Sequence, residues 1–436
     1  MPFDLARDRV KPLLESWERR RSQDATAAWD WLTASGDAPE VSLHELEYFL
    51  WYQLPAKFLT SHEHHRAVAL ALADLLDALG HADAASLCRG FTTMQVLAEW
   101  ESDPDRGHRA FIKALDESGV HPPNTDVLEW GAVMLLTEAR VLEMAANELE
   151  DAISHGVFTP GERGWKHAQS EVTRQFLLRV RHDLDERSPR EAVWQERIEY
   201  WALRPARPSR ELWLRPAIKD LRRSADAPED ASAAMLSLHR LLELAGEGIP
   251  LTQAGFMQPA VVRQLVDEFG WWHWGKPPRN ESDALQVHDL RDLAKRSGLL
   301  RVARKELRLT ANGRHALADT QALWRRTTWT LARGASFSDA IGELLLARLL
   351  RGPVDQSDVR EDMVPVLAEA GWTPRNGGLL TADMVGYDMW DAIRPLALLN
   401  MLQIGKWPDQ SLRLTRFGAI SAREILRLRA TAPVER

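Results

Sequence analysis

Residues 285–317 read LQVHDLRDLAKRSGLLRVARKELRLTANGRHAL, and this stretch decides the predicted fold of the second half of the chain. Apolar residues recur three and four positions apart over its first third, which predicts a helix with one buried face. The members of that face are Val287, Leu290, Leu293 and Ala294. After it, two short apolar runs flank a basic tip at Ala303 to Glu306, which predicts a hairpin. Thr310 is suited to cap a further helix, so the stretch predicts helix, strand, basic turn, strand and helix.

The same pattern returns about a hundred residues later. Leu412-Arg413-Leu414-Thr415-x-x-Gly418 lies 105 positions after Leu307-Arg308-Leu309-Thr310-x-x-Gly313. The preceding helix repeats at an offset of 103, because Ile393 to Ala397 corresponds to Leu290 to Ala294. Each copy has the predicted order helix, short strand, helix, helix, two-stranded hairpin and helix. That order is typical of the winged helix-turn-helix.

Four short runs between Leu241 and Trp324 carry a family resemblance. They are Leu251-Thr252-Gln253-Ala254-Gly255, Pro259-Ala260-Val261-Val262, Leu290 to Ala294 and Leu307-Arg308-Leu309-Thr310-x-x-Gly313. On these runs the stretch resembles the helical C-terminal region of actinobacterial proteins related to plasmid pRiA4b ORF-3. Its Leu-Thr-x-x-Gly ending is similar, more loosely, to that of many bacterial winged-helix regulators. The resemblance covers about a fifth of the chain, implies this fold and a bacterial source, and implies no known chemistry.

The length of the chain predicts several domains. At 436 residues it exceeds the size of about 250–300 residues at which single cores stop growing. We expect a mainly α protein, in which an N-terminal helical bundle or hairpin domain precedes two tandem winged-helix-like modules. The predicted parts are an all-helical domain at 1–204, a linker with a short helix at 205–230, module 1 at 231–333 and module 2 at 334–430. In the first domain Ser42 and Glu45 have the spacing of a capping box.

Composition favours a soluble, cytoplasmic protein without membrane contact. The start, Met1 to Asp8, lacks the apolar core of a signal peptide, and no apolar run approaches the length that spans a bilayer. The single cysteine, Cys88, can form neither an internal disulfide nor a zinc-binding thiolate pair. We interpret Cys88 as a small buried apolar residue rather than a nucleophile.

Positive charge is concentrated in module 1. Residues 1–230 hold 28 lysines and arginines against 40 acidic residues, whereas 231–436 hold 27 against 23. Between Arg291 and Arg333 eleven basic residues face three acidic ones, a local excess of eight. A confined excess of this kind indicates an anion-binding surface. The alternative is a solvated helix and hairpin that faces the acidic N-terminal half.

The predicted recognition helix and wing supply the candidate DNA-binding residues. Cations at these places would displace counterions from phosphates. They are Arg291, Lys295, Arg296, Arg301, Arg304, Lys305 and Arg308, and we expect His288, Arg291, Asp292 and Lys295 to face solvent. Asp289 and Asp292 lie on the same helix and would repel a DNA backbone.

The second copy is less suited to DNA. Its third helix, predicted at Tyr387 to Gln403, carries Asp388 and Asp391. Pro395 is expected to kink or restart that helix, because proline lacks a backbone donor. The helix is more apolar than one core-facing stripe requires. We therefore expect it to pack against the first copy, the N-terminal half or a second subunit.

Other residue clusters point to chemistry only weakly. Ser61 to His65 contains three histidines, but a tetrahedral metal site needs further ligands, so a solvated helix start is the simpler interpretation. Trp271 to Arg279 combines aromatic and basic residues, which could stack bases or grip a proline-rich partner, or simply pack in the core. The sequence lacks the common phosphate-loop, nucleophile-elbow, zinc-protease and dinucleotide-binding motifs. We expect no enzyme activity, no metal and no cofactor.

These observations favour a cytoplasmic bacterial DNA-binding protein with a regulatory role. Module 1 would bind duplex DNA through its basic helix and wing. The acidic N-terminal half would mediate dimerisation or signal sensing. The alternative is a protein-interaction scaffold whose winged helices bind protein, for example in a phage-defence or chromosome-associated assembly. In that case the N-terminal half and module 2 would contact the partner or a second subunit.

Overall fold

The chain is mainly helical with few short strands, as predicted. A computed structural model describes residues 3–33, 40–58, 61–203, 207–222, 225–271, 278–375, 377–405 and 409–434. It divides into two compact units, Met1–Val193 with Pro433–Arg436 and Trp194–Ala432. The predicted linker at 205–230 therefore lies within the second unit. Among the described residues, no helix combines the length and apolar character needed to cross a membrane.

The first unit is a set of packed helices. They are α1 (Arg7–Glu15), α2 (Arg19–Thr33), α3 (Leu43–Tyr48), α4 (Leu54–Lys57), α5 (His62–Ala78), α6 (Ala82–Arg89), α7 (Phe91–Ser102), α8 (Pro104–Ser118), α9 (Leu136–Ser154) and α10 (Trp165–Leu178). A π-helical turn, Phe49–Gln53, joins α3 to α4, and α11 (Pro189–Ala202) contains the division between the units. The predicted capping box is confirmed, because Ser42 accepts from the Glu45 backbone and the Glu45 side chain accepts from the Ser42 backbone.

One expectation for this half is wrong in detail. Residues 1–204 are predicted to be all-helical, yet β1 (Phe3–Asp4) pairs antiparallel with β2 (Glu40–Val41). Each strand has two residues, which is too short for alternation of apolar and polar residues to be visible. Phe3 and Val41 face each other and are both buried, so the pair closes over the helical core.

The second unit contains the two predicted modules and the helices that precede them. Before module 1 come α12 (Pro208–Leu214) and α13 (Ile218–Leu221). Module 1 consists of α14 (Ala231–Ala234), α15 (Leu236–Glu247), β3 (Ile249–Pro250), α16 (Pro259–Phe269), α17 (Leu285–Arg296), β4 (Leu300–Ala303), β5 (Glu306–Leu309), α18 (Ala311–Ala318) and α19 (Thr320–Ala332). Module 2 consists of α20 (Phe337–Leu349), β6 (Val354–Asp355), α21 (Gln356–Glu369), α22 (Ala382–Leu398), β7 (Leu402–Ile404), β8 (Ser411–Leu414) and α23 (Arg416–Ala430). Short 3-10 turns occur at His182–Leu184, Arg215–Ala217 and Glu281–Asp283.

Both modules build the same small sheet. In module 1 the strand order is β3-β5-β4, and in module 2 it is β6-β8-β7, with every pairing antiparallel. The first strand of each module therefore pairs with the second strand of its hairpin. Helix α22 begins five residues before the predicted Tyr387 and ends at Leu398. It continues through Pro395 without the expected restart, although this proline lacks the backbone N–H that would bond the Asp391 carbonyl.

The repeated Leu-Arg-Leu-Thr-x-x-Gly motif has the same geometry in both modules. Thr310 accepts from the backbone N–H of Gly313, and Thr415 accepts from that of Gly418, so each threonine caps the helix after the hairpin. Each threonine hydroxyl also donates to a carbonyl just before the hairpin, that of Gly298 at 2.6 Å or of Asn400 at 2.7 Å. The motif thus ties the start of one helix to the base of the hairpin.

The two modules share one hydrophobic core. The indole N–H of Trp324 on α19 donates to the hydroxyl of Ser421 on α23 at 2.9 Å, and both residues are fully buried. Helix α12 belongs to the same unit, since the Trp213 indole donates to the Leu344 carbonyl at 2.8 Å. The modules repeat in sequence without being separate folding units in space.

Candidate nucleic-acid interface

The β4–β5 hairpin carries exposed cations on a tight turn. Ala303 pairs with Glu306, which leaves Arg304 and Lys305 as the two turn residues. Both have positive φ, 52° and 61°, as a type I′ hairpin turn requires. Arg301, Arg304 and Lys305 are exposed, and none has a carboxylate within 4.0 Å among the described residues. The predicted basic wing is therefore a solvent-facing, uncompensated charge cluster.

Two arginines face each other across the hairpin. Arg301 on β4 is directly opposite Arg308 on β5, so their side chains lie on the same face of the sheet. Arg308 is bonded to Glu306, whose carboxylate accepts from its Nε at 2.7 Å, and half of the Arg308 side chain remains exposed. In module 2 the equivalent pair is Gln403 and Arg413. Of the two hairpins, the first therefore has two facing arginines, of which Arg301 has no carboxylate within 4.0 Å among the described residues.

Helix α17 presents fewer free cations than the sequence suggests. Its buried face is the predicted one, and Lys295 and Arg296 are exposed in its last turn. The Arg296 guanidinium donates to Asp292 at 2.8 Å, so its charge is balanced on the same helix. Lys295 has no acidic partner among the described residues. At the end of α17, one cation is therefore available to an anion.

The prediction that Arg291 faces solvent is wrong. Its side chain is 11% exposed and donates to the Glu281 carboxylate at 2.7 Å and to the Gly255 carbonyl at 2.9 Å. Glu281 is fully buried and also accepts from the Met257 backbone at 2.7 Å. A buried carboxylate needs a counter-charge, and Arg291 supplies it. Arg291 therefore holds module 1 together and is not placed to contact DNA.

The third helices of the two modules pack against each other. Arg394 on α22 donates to Asp289 on α17 at 2.7 Å and also bonds Asp391 on its own helix. The apolar α22 was expected to pack against the first copy, the N-terminal half or a second subunit. In the structure it packs against α17 of the first copy. Between the two helices lies a cleft of about 540 Å³ whose lining includes Leu285, Gln286 and Trp390. One flank of the predicted recognition helix is thus covered.

A second basic surface on module 1 was missed by the sequence reasoning. Arg325, Arg326 and His315 line a shallow pocket of about 320 Å³ beside Trp329, which is 41% exposed. Arg325 lies 3.4 Å from Asp226, whereas Arg326 has no acidic partner among the described residues. Arg325 and Arg326 were counted in the charge excess, whereas His315 was not. Their convergence appears only when α18 folds back on α19.

The other predicted clusters contribute little to a site. In the aromatic and basic run from Trp271 to Arg279, residues 272–277 lie outside the described residues, and Trp271 stacks on Phe269 with ring centres 5.0 Å apart. In the histidine cluster His65 is buried and contacts the Phe58 carbonyl, while His64 lies 3.6 Å from Asp24. The part of the chain that the structure describes contains no group of three metal-ligating side chains.

The first unit contains a buried polar group of its own. The rings of His44 and His121 stack, and the His44 backbone donates to Glu150 at 3.0 Å. Burial lowers the pKa of His44 to about 3, so this imidazole is neutral at physiological pH. Burial raises the pKa of Glu47 well above its usual range. Cys88 is buried as predicted, and burial raises the pKa of its thiol to about 12. A thiol with so high a pKa is a poor nucleophile.

Module 1 is the part of the chain that is similar to a known family. The family profile described as the Y4jL N-terminal domain matches residues 231–322, about a fifth of the chain. This family belongs to the Y4jL and pRiA4b-like group, which fits the resemblance seen between Leu241 and Trp324. The narrower likeness to the ORF-3 proteins depends on the residues quoted above. No curated protein and no solved structure matches the chain significantly.

Proposed function

We propose that this chain is a bacterial, cytoplasmic DNA-binding protein of regulatory type, with two winged-helix modules of which the first binds duplex DNA. The element order and the pairing of each first strand with the second hairpin strand support the winged-helix assignment. The acidic first unit would serve dimerisation or signal sensing.

The observation that carries this proposal is the uncompensated charge on the first hairpin. Arg301, Arg304 and Lys305 are exposed, and among the described residues no carboxylate lies within ion-pairing distance of them. DNA affinity arises largely from such cations, because each phosphate contact releases a counterion. The wing therefore has the charge that a phosphate backbone requires.

The proposal is tested by fluorescence anisotropy with a labelled duplex across a salt series. Changing Arg301, Arg304 and Lys305 together to Glu is expected to lower the affinity at least about a hundredfold at low salt. The slope of log K against log salt should fall by about 2 to 3, because each lost phosphate contact removes about 0.9.

A matched control carries the same change in net charge elsewhere. Arg19, Arg20 and Arg109 are exposed cations of the first unit, and their combined change to Glu should leave the affinity nearly unchanged. Absence of binding by the wild-type chain at low salt would contradict the proposal. Equal losses in both triple variants would reduce it to an effect of net charge.

The second candidate is a protein-interaction scaffold, and the apolar rim of the α17–α22 cleft favours it. Leu285, Tyr387 and Trp390 are 55%, 81% and 40% exposed on these two helices. Exposed aromatic and aliphatic side chains around a cleft are typical of partner contacts. Here we expect recovery of a stoichiometric protein partner after nuclease treatment and its loss when Tyr387 and Trp390 are changed to Ser. A partner retained by that variant would contradict this candidate.

A further inference from the structure

Helix α17 is poorly placed to enter a major groove. Asp289, on one flank, is bonded to Arg394 of α22, and its side chain is only 17% exposed. A helix with its side chains is about 10–12 Å across, and the major groove is about 12 Å wide. A helix that fills the groove needs both flanks free. In this unit α22 occupies one of them.

The surface beside α17 is also acidic. A polar pocket next to the helix is lined by Asp289, Asp292, Asp339 and Asp391. The arginines in the same pocket are engaged, since Arg296 bonds Asp292, Arg394 bonds Asp289 and Arg429 bonds Glu343. Phosphates that flank a helix in the groove would therefore approach carboxylates. Like charges disfavour that approach.

The hairpin has the opposite character. Arg301 stands opposite Arg308, whose charge is balanced by Glu306, whereas Arg301 itself has no carboxylate within 4.0 Å among the described residues. Arg304 and Lys305 add two cations at the tip, about 10 Å further along the strand. Charges spread over this length can contact successive phosphates of one strand.

The turn residues are not those that stabilise the turn best. A type I′ turn favours Asn-Gly, because both central residues have positive φ, where the Cβ of most L-residues crowds the backbone carbonyl, whereas glycine has no Cβ and asparagine tolerates this region. Here the two positions hold Arg304 and Lys305. The hairpin thus holds two cations at a turn whose backbone conformation an Asn-Gly pair adopts more readily.

From these observations the geometry points to a DNA contact made by the β4–β5 hairpin on the phosphate backbone, without base reading by α17. Binding to duplex DNA is then largely independent of sequence. This inference rests on the proposed function and names the part of the DNA that is recognised. It departs from the sequence expectation, in which the helix and the wing share the contact.

A variant that changes the turn separates charge from folding. Arg304→Asn with Lys305→Gly installs the preferred turn sequence, so the midpoint of thermal unfolding should stay the same or rise. DNA affinity at about 0.1 M salt should fall at least about tenfold, and the salt slope should fall by about 2. The control is Arg413→Glu in the second hairpin, which makes the same change in net charge and should leave the DNA affinity and the salt slope unchanged. Unchanged DNA affinity in the turn variant overturns the inference.

Selection of duplexes from a random library tests sequence independence. We expect that no motif of specified base pairs is enriched. The affinities for unrelated duplexes should agree within about threefold, a smaller difference than base-specific contacts produce. Gln286 and His288 are exposed on α17, and changing both to Ala should leave the affinity unchanged. An enriched motif, or weaker binding by this double variant, overturns the inference and leaves the proposed function standing. Absence of any DNA binding removes both.

Discussion

Arg291 and Arg301 contribute the same charge to the sequence, but in the fold Arg291 is largely buried and Arg301 is exposed. Arg291 lies on α17 above Glu281, a carboxylate with no solvent exposure, whereas Arg301 stands on the exposed strand β4. The sequence could not separate them, because Glu281 is ten residues away across a 3-10 turn and its burial depends on the whole module. Helical spacing places Arg291 at the edge of the apolar face of α17, where a side chain can point either into the core or into solvent.

The buried pair predicts a large effect on stability. Arg291→Met removes the guanidinium that balances the buried Glu281 and leaves only the half-exposed imidazole of His288 at 3.5 Å, so we expect the free energy of unfolding to fall by about 3–5 kcal/mol. Urea denaturation followed by circular dichroism measures it. Adding Glu281→Gln to Arg291→Met should restore part of the loss, because the amide is uncharged and still accepts from the Met257 backbone.

Arg296→Met is the comparison for this measurement. It removes an arginine from the same helix, but its pair with Asp292 is about half exposed on both sides. Exposed pairs contribute little, so a change below about 1 kcal/mol is expected. If both single substitutions had equally small effects, Arg291 would not be a structural residue, and the original solvent-facing assignment would return.

At the scale of elements, the hairpin and the helix after it behave as one piece. The threonine of the repeated motif caps the helix, and the glycine three positions later lets the helix approach the chain before the hairpin. A Cβ on Gly313 would overlap the Leu299 carbonyl oxygen, and one on Gly418 would overlap that of Met401. The matching runs were visible in sequence, and the cap at Thr310 was predicted correctly. The reason for the glycine became visible only with the packing.

Gly313→Ala is therefore expected to destabilise the second unit. The added methyl group meets a backbone carbonyl that cannot rotate away, and overpacking of this kind costs about 1–3 kcal/mol. Thermal unfolding followed by circular dichroism is a suitable measurement.

The same substitution at Gly246 controls for helix propensity. Gly246 lies in α15, and a Cβ at this position would lie 3.8 Å from the nearest side-chain atom, which belongs to Leu309. Ala therefore fits there. Gly246→Ala should be neutral or stabilising by up to about 1 kcal/mol. A similar loss at both positions would mean that the overlap at Gly313 is relieved by a small shift and that the motif glycine has another role.

At the scale of the molecule, sequence periodicity predicted most of the elements and missed how they meet. The apolar face of α17, the repeat at offsets of about a hundred residues and the capping box at Ser42 follow from local patterns, which a single chain shows directly. The bond between Asp289 and Arg394 joins residues 105 positions apart, and no local pattern encodes it. The expected exposure is therefore found for Arg301, Arg304 and Lys305 and not for Arg291, because the turn that exposes the hairpin cations is encoded locally, whereas the partner that buries Arg291 is not.

The shared core of the two modules has a consequence for ancestry. If the repeat arose by duplication, the two copies became joined through buried contacts such as that of Trp324 with Ser421. The boundary at 333/334 would then no longer separate two parts that can fold independently. A chain that retained only one module would expose to water the surface with which that module now packs against the other.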